Sequence, residues 1–261
     1  MNNRSIGTLL GPDDPSPYTV YCPDGASPYV FIADHAGRRI PAALNGLGLT
    51  PEEIDRHIGW DIGIAGVAER LAHAMNAFTI AQTYSRLVID CNRPLTSPSS
   101  IAEVSDGTVI PGNQRLDLEQ RTVRALEIFA PYHARIVQEL DRRANSFQPT
   151  ILVTLHSFTP ILDTKERPWH CGVLYQRDSR FAHAMLAALR QEPDLAVGDN
   201  QPYFVTDATD YAIPIHGEGR GLPHVELEIR QDLIASDDGQ QIWTARLMRI
   251  FDRLAPAFLS N

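Results

Sequence analysis

The sequence predicts a single α/β domain with a mostly parallel or mixed central sheet flanked by helices. Three observations predict this class. Short buried apolar runs alternate with amphipathic stretches of helical length, polar residues follow several of those runs at once, and no internal repeat divides the chain. The 261 residues suffice for one large core, and 43% hydrophobic and 21% charged residues are typical of a globular protein. We therefore expect one domain over residues 1–261.

The first half of the chain predicts two helices between buried strands. Residues 1–27 are rich in Pro, Gly, Asp and Ser and predict an irregular N-terminal lead-in. A buried strand follows at 29–33, and TPEE at 50–53 begins a helix with a capping box. A second helix follows Asp61. Two further strands are predicted at FTIAQ (78–82) and RLVID (86–90).

The second half begins with a turn-rich segment, residues 94–116, whose length is typical of a functional or mobile loop. Residues 117–145 predict helix with an interruption at Pro131, since proline breaks the helical hydrogen-bond pattern. The remaining predicted strands are 150–156, 171–176 and 224–230, and the remaining helices are 180–190 and 240–256.

Charge and cysteine content narrow the classes of partner. A formal net charge of -9 repels phosphate backbones, which argues against a nucleic-acid partner. Cys22, Cys91 and Cys171 form no CxxC pair, so no disulfide framework or thiolate zinc site is indicated. No signal peptide and no apolar run near the roughly 20 residues of a membrane span is visible. We expect a cytoplasmic protein that acts on a small molecule, in an oligomeric state that the sequence leaves open.

Polar groups at predicted strand ends supply the candidate chemistry. They are Asp34-His35, residues 90–93, His156-Ser157 and residues 226–230. In open α/β sheets, ligands bind at the carboxyl ends of the strands. Two imidazoles, several carboxylates and several guanidiniums suit metal-assisted hydrolysis of an anionic substrate. A histidine at a strand end is also often only a hydrogen-bonded loop residue, and residue pattern alone leaves both interpretations open.

Four motifs occur in the order DHAGRRIP, SRLVIDCNRP, TLHSF and LEIRQDLI, between residues 29 and 234. Together they resemble the N-formylglutamate amidohydrolase family, which is similar in fold to the zinc carboxypeptidases and aspartoacylases. The resemblance implies one Zn²⁺ per chain. It also implies hydrolysis of the amide bond of an N-acyl amino acid of the N-formyl-L-glutamate type.

The resemblance also implies the metal ligands. His35 in DHAG and His156 in TLHS match the two histidines of the family. Asp61 in GWDIGI matches an aspartate before the next helix and is the expected third ligand, with Glu53 and Asp34 as alternatives. Asp61 precedes a predicted helix, so an N-cap of that helix is an interpretation with equal weight to that of a metal ligand.

The resemblance assigns a substrate carboxylate to Arg86, Asn92 and Arg93. Their charges suit this role, although Arg86 has the alternative of a salt bridge with Asp90. His216, in the Gly-rich segment before residues 224–230, is a further candidate for the substrate-binding site.

Glu228 matches the family's late acid and is the expected general base, with Glu226 as the alternative. Both lie on one face if residues 224–230 form a strand, and a solvated edge strand would explain the same pattern.

Four residues depart from the pattern of the related enzymes: Asp34, Ala36, Arg38 and Leu155. These departures leave open a non-catalytic protein that binds amino-acid derivatives, and a hydrolase of another N-acyl amino acid or a small peptide. A serine hydrolase that uses Ser157 is less favoured, because no G-x-S-x-G elbow surrounds it. Whether the 94–116 segment closes over substrate is also left open.

Overall fold

A mixed sheet of seven strands forms the centre of the computed structural model, which describes residues 8–259. Two small two-stranded hairpins, at residues 104–109 and 161–166, lie outside that sheet. The strands in this part of the chain are β1 Tyr18–Tyr21, β2 Tyr29–Ala33, β3 Phe78–Gln82, β4 Val104–Ser105, β5 Thr108–Val109, β6 Ile151–Phe158, β7 Ile161–Leu162, β8 Lys165–Glu166, β9 Cys171–Leu174, β10 Val197–Asp199 and β11 His224–Arg230.

The strand order in the sheet is β1-β3-β2-β6-β11-β9-β10. β2 pairs in parallel with β3 and β6, and β6 pairs in parallel with β11. β1 runs antiparallel to β3, β9 runs antiparallel to β11, and β10 is parallel to β9. The predicted α/β class with a mixed central sheet is confirmed.

The predicted irregular lead-in is wrong at residues 18–21, because this segment is the edge strand β1. This strand of four residues, YTVY, does not alternate strictly, Thr19 is exposed and the other three residues are only partly buried, so its sequence carries little strand signal. Residues 1–7 of the lead-in lie outside the described residues.

Six α-helices surround the sheet in the described part of the chain: α1 Pro51–Ile54, α2 Ile64–Met75, α3 Leu118–Arg124, α4 Ala130–Asn145, α5 Arg180–Leu189 and α6 Asp237–Leu259. The predicted capping box is present at the start of α1, where Thr50 and Glu53 exchange hydrogen bonds. The predicted interruption near Pro131 is a π-helical turn, Ala125–Phe129, between α3 and α4. No helix among residues 8–259 combines the length and the apolar character needed to cross a membrane.

The two faces of the sheet are buried in separate cores. Successive side chains of β2 alternate between them, because neighbouring residues of a strand point to opposite faces. Tyr29 and Phe31 pack in the core formed with α2, α5 and α6, while Val30 and Ile32 pack in the core formed with α4. Burial on both faces explains why β2 reads as a continuous apolar run.

The predicted strand at residues 86–90 is wrong, because residues 86–88 form a turn and residues 87–90 are buried without pairing in the sheet. The carbonyl oxygen of Leu87 accepts a hydrogen bond from the Asn113 side chain at 2.8 Å. That of Val88 accepts one from the buried guanidinium of Arg124, also at 2.8 Å. Side chains therefore satisfy carbonyls that a strand would pair in the sheet, and an apolar run cannot distinguish these cases.

We expect Phe31→Ala to lower the free energy of unfolding by about 3–5 kcal/mol, since it leaves a cavity in a packed core. Phe31 is fully buried, and its ring centroid lies 5.5 Å from that of Phe251. Urea unfolding followed by circular dichroism measures the change. Phe147→Ala is the matched control, because Phe147 is 92% exposed, and it should shift stability by less than about 0.5 kcal/mol. Equal effects of the two variants would contradict this description of the core.

Candidate active site

The parallel strands bring the predicted site residues to one edge of the sheet. His35 follows the carboxyl end of β2 by two residues, and His156 lies near the carboxyl end of β6. In the register of β6 and β11, His156 is the Cα partner of Glu228, and Thr154 is the partner of Glu226. Three of the four predicted strand-end groups therefore converge where sheets of this class bind ligands.

His35, Asp61 and His156 form a buried group whose possible metal-ligating atoms all lie within 4.8 Å of one another. Asp61 Oδ2 is 3.0 Å from His156 Nδ1 and 3.7 Å from His35 Nδ1. Three protein ligands of this kind, two imidazoles and a carboxylate, are typical of catalytic zinc sites. The three residues predicted as metal ligands are thus brought together.

Asp61 reaches this group from the segment before α2. Its backbone N–H donates to the carbonyl oxygen of His35 at 2.9 Å, and its Oδ2 accepts from the backbone N–H of Ser157 at 3.1 Å. Its second oxygen, Oδ1, pairs with the guanidinium of Arg86. The N-cap of α2 is Gly63, so the alternative interpretation of Asp61 as that cap is not what the structure shows.

A second carboxylate orients His35. His35 Nε2 donates to Asp90 Oδ1 at 2.7 Å, and the same oxygen accepts from the backbone N–H of Asn92 at 2.8 Å. Because a carboxylate only accepts, Nε2 carries the proton and Nδ1 keeps its lone pair. Burial, together with the charge of Arg86, lowers the pKa of His35 to about 4, so the imidazole is neutral at neutral pH. A neutral imidazole held by a carboxylate is the form that binds metal.

His156 is flanked by carboxylates on its other side. Its Nε2 lies 3.7 Å from Asp34 Oδ2 and 3.8 Å from Glu226 Oε2. Within residues 8–259, neither His156 Nε2 nor His35 Nδ1 has a hydrogen-bond partner, although both atoms are buried. Of the two, His35 Nδ1 lies on the Asp61 side, where an orphaned nitrogen beside a carboxylate fits a divalent cation. His156 faces Asp61 through Nδ1, so its Nε2 lies on the opposite side of the ring.

The two alternatives for the third ligand occupy other positions. Glu53 uses its carboxylate to cap α1 and is not part of the buried group. Asp34 is buried on the Nε2 side of His156 and is likewise outside that group. Burial raises the pKa of Asp34, since a desolvated carboxylate favours its neutral form.

A cavity of about 350 Å³ opens beside the buried group. Every residue predicted to bind the metal or the substrate, or to act as the base, lines this cavity, except His216. Its lining residues are His35, Asp61, Arg86, Asn92, Arg93, His156, Ser157, Pro202, Tyr203, Phe204, Thr206, Thr209, Asp210, Glu226 and Glu228. This volume suits a small molecule.

His216 is the exception. It is buried away from the lining, with its Nε2 3.0 Å from His133 Nδ1, and His133 Nε2 donates to the carbonyl oxygen of Cys91 at 2.9 Å. The structure therefore does not bring His216 together with the other predicted substrate-binding residues. Residues 94–116 are also missing from the lining, so they contribute no wall to the cavity in this structure.

Asn92 and Arg93 hold one wall of the cavity in place. Asn92 Oδ1 accepts from the backbone N–H groups of Tyr211 and Ala212, both at 3.0 Å. This leaves the Asn92 Nδ2 group 3.4 Å from Asp210 Oδ1. Arg93 Nη1 lies 3.7 Å from the same oxygen. Both predicted donors therefore face the cavity and already have a carboxylate beside them.

Glu226 and Glu228 lie on a buried central strand, which excludes the alternative of a solvated edge strand. Burial raises the pKa of each carboxyl to about 7, although the neighbouring His156 opposes that rise. Glu226 Oε2 accepts from Thr154 Oγ1 at 3.2 Å, while Glu228 Oε2 has no hydrogen-bond partner among the described residues. A carboxylate with a pKa near neutrality suits proton transfer.

Ser157 does not have the surroundings of an activated nucleophile. Its Oγ donates to the carbonyl oxygen of Ile62 at 2.9 Å, and its backbone N–H donates to Asp61. A serine nucleophile needs a base within hydrogen-bond reach of its hydroxyl. The structure gives Ser157 the role of fixing the segment that carries Asp61.

Sequence reasoning missed two contributors to the site. The sequence places Asp90 in the candidate group 90–93 and offers it as a partner for Arg86, but gives no sign that it orients His35. The segment 202–210, which forms a wall of the cavity, carries no periodic pattern. It is positioned over β9 at Gly172, where any Cβ would lie 2.0 Å from the carbonyl oxygen of Gln201. Such a contact between distant segments leaves no local sequence signal.

Comparison with known proteins gives the family and the fold of this chain. The model of the N-formylglutamate amidohydrolase family matches residues 27–235. A crystal structure of a gene product from Agrobacterium tumefaciens is 32% identical with a TM-score of 0.92, over 95% of this chain and 98% of that chain. The N-formylglutamate amidohydrolase from Ralstonia eutropha JMP134 is 20% identical with a TM-score of 0.70, over 94% and 98%, and shows the likeness of fold. A search of curated proteins found no match.

If the group of His35, Asp61 and His156 binds Zn²⁺, His156→Ala should lose the metal, and Asp90→Asn should weaken Zn²⁺ affinity about 10- to 100-fold because Asp90 orients His35. Elemental analysis and competition with a chromophoric chelator measure stoichiometry and affinity. His183→Ala, at an exposed histidine on α5, is the control and should keep the wild-type affinity. Full zinc content in His156→Ala would show that the ligand set is wrong.

Proposed function

Because this chain belongs to the N-formylglutamate amidohydrolase family, we propose that it hydrolyses the amide bond of an N-acyl amino acid with the help of a bound divalent metal ion, Zn²⁺ in the first instance. N-formyl-L-glutamate is the first substrate to test. The observation that carries the proposal is the buried group of His35, Asp61 and His156 beside a cavity that also contains Glu228.

In this proposal His35, Asp61 and His156 hold one metal ion per chain. A zinc ion bound by three protein ligands acidifies water and polarises a carbonyl oxygen, which is the chemistry that amide hydrolysis needs. Asp90 supports the site by fixing the tautomer of His35, so that Nδ1 faces the other ligands.

Glu228 moves the proton. Its carboxylate takes a proton from the attacking water while the oxygen of that water adds to the acyl carbon. As the C–N bond breaks, the same carboxyl gives the proton to the leaving amine nitrogen. Glu228 is favoured over Glu226 because its Oε2 has no partner in residues 8–259, whereas Glu226 Oε2 accepts from Thr154.

Arg93 and Asn92 bind the carboxylate of the amino acid, and Arg86 supports the same end of the substrate. Asn92 is suited to this because its Oδ1 is fixed by two backbone N–H groups, which aims Nδ2 at the cavity. A substrate carboxylate would take over the contacts that Asp210 makes with Asn92 and Arg93. The products are a short carboxylic acid and the free amino acid.

The non-catalytic alternative predicts binding of amino-acid derivatives without turnover. Nothing in such a protein requires a buried carboxylate with a pKa near 7 beside a metal-binding group, and this feature favours the enzyme.

The direct test combines metal content with formate release from N-formyl-L-glutamate on one purified sample. We expect near-stoichiometric zinc, turnover, loss of turnover on chelation and its return when Zn²⁺ is added. A panel of other N-acyl amino acids and small peptides tests the substrate class if zinc is present without formate release. Tight binding without turnover of any panel member would support the non-catalytic alternative.

We expect Glu228→Gln to lower kcat about 10²- to 10⁴-fold while it keeps the metal, since it removes the proton acceptor and little volume. Steady-state kinetics and elemental analysis of the same preparation measure both effects. Glu69→Gln, at an exposed position on α2, is the control. If Glu226→Gln rather than Glu228→Gln abolishes turnover, the base is Glu226.

A further inference from the structure

The two arginines in the cavity wall both have an acidic partner. Arg86 pairs with Asp61, and Arg93 lies 3.7 Å from Asp210. Each positive charge is therefore opposed by a negative one before a substrate arrives. A substrate with two carboxylates, such as an N-acyl glutamate, needs positive charge beyond this pairing.

Arg167, which directly follows β8, has no such partner. Among residues 8–259, no carboxylate oxygen lies within 4.0 Å of its guanidinium, although only 9% of the residue is exposed. Its Nη1 donates to the hydroxyl oxygen of Tyr203 at 2.8 Å. A guanidinium has five N–H donors, so most of the hydrogen-bonding capacity of Arg167 is not used by other side chains.

Two aromatic rings compensate part of the cost of this buried cation. The guanidinium carbon of Arg167 lies 4.8 Å from the ring centroid of Tyr203 and 5.9 Å from that of Phe158. Cation–π contacts of this kind are weaker than an ion pair with a carboxylate. The arrangement therefore holds a cation in place and leaves its charge available to an anionic ligand.

Arg167 is not among the residues that line the cavity, but it contacts one of them. Tyr203, its hydrogen-bond partner, lines the cavity, and Phe158 follows His156 by two residues in β6. The charge of Arg167 also acts on Glu228, where it opposes the rise in pKa that burial causes. A carboxylate bound jointly by Arg167 and the Tyr203 hydroxyl would therefore lie on the Tyr203 side of the cavity that also contains the proposed base.

We infer that Arg167, with the Tyr203 hydroxyl, binds a second carboxylate of the substrate and so selects N-acyl amino acids that carry two carboxylates. The inference rests on the proposed function and adds the residue that determines specificity. Arginine suits this role because its planar guanidinium binds a carboxylate through two parallel hydrogen bonds.

The second carboxylate has two possible sources, the amino-acid side chain and the acyl group. N-formyl-L-glutamate and N-formyl-L-glutamine differ in side-chain charge at almost equal shape. N-succinylglycine and N-butyrylglycine differ in the charge of an acyl group of equal chain length. Comparing kcat/KM within each pair shows which source Arg167 recognises.

The test variant is Arg167→Met, which keeps an unbranched side chain against Phe158. A second variant, Arg167→Lys, retains the positive charge but lacks the planar guanidinium. Within one of the two pairs, we expect Arg167→Met to lower the ratio of kcat/KM for the dicarboxylate to kcat/KM for its monocarboxylate analogue about 10- to 100-fold, mainly by raising KM for the dicarboxylate. Arg167→Lys should restore part of that preference. Arg190→Met, at a half-exposed arginine whose acidic partner Asp199 lies outside the cavity lining, is the matched control and should keep the wild-type ratio.

Calorimetric binding of the same four compounds separates this inference from the proposed function. A wild-type protein that prefers the dicarboxylates, with that preference lost in Arg167→Met, supports the inference even if no compound is hydrolysed. Turnover of N-formyl amino acids with an unchanged ratio in folded Arg167→Met overturns the inference and leaves the proposed function intact. A wild-type protein that prefers neither dicarboxylate, in binding or in turnover, also overturns it.

Discussion

The parallel pairing of β6 with β11 is the constraint on which the site depends. It makes His156 the direct neighbour of Glu228 and Thr154 the neighbour of Glu226, on one face of the sheet. A slip of one residue would move both glutamates to the opposite face, into the apolar core formed with α5 and α6. His156, in the proposed metal-binding group, and the proposed base Glu228 therefore have a fixed relation, because the two central strands that carry them are buried on both faces.

Asp61 connects this strand edge to the rest of the cavity. Its carboxylate contacts His156, the backbone of Ser157 and the guanidinium of Arg86, while its backbone bonds to that of His35. Asp90 plays the corresponding part for His35 and for the backbone of Asn92. Two buried aspartates thus hold the histidines in the orientation that leaves one nitrogen of each directed at Asp61.

The predictable parts of the site are those that lie on or beside strongly patterned strands. His35 and His156 stand at the ends of apolar runs, and Glu228 lies on a strand whose position the pattern gave correctly. His216 lies in a Gly-rich segment next to the strand of Glu228 and was therefore predicted to bind substrate. In the structure it pairs with His133 outside the cavity lining. The strand prediction at residues 86–90 was wrong for a related reason. This segment is buried and its carbonyl groups bond to side chains, so it has the same apolar sequence as a strand whose carbonyl groups bond within a sheet.

By itself the sequence determined the α/β class, the buried strands that carry His156 and Glu228, and the family resemblance on four ordered motifs. Those properties depend on local periodicity and on short motifs, which the chain order preserves. Only the tertiary structure decided that Asp61 faces the histidines, that Asp90 orients His35, and that Arg167 lies behind Tyr203. Each of these contacts joins segments that are far apart in sequence, and pairing of that kind is set by packing and hydrogen bonding rather than by local pattern.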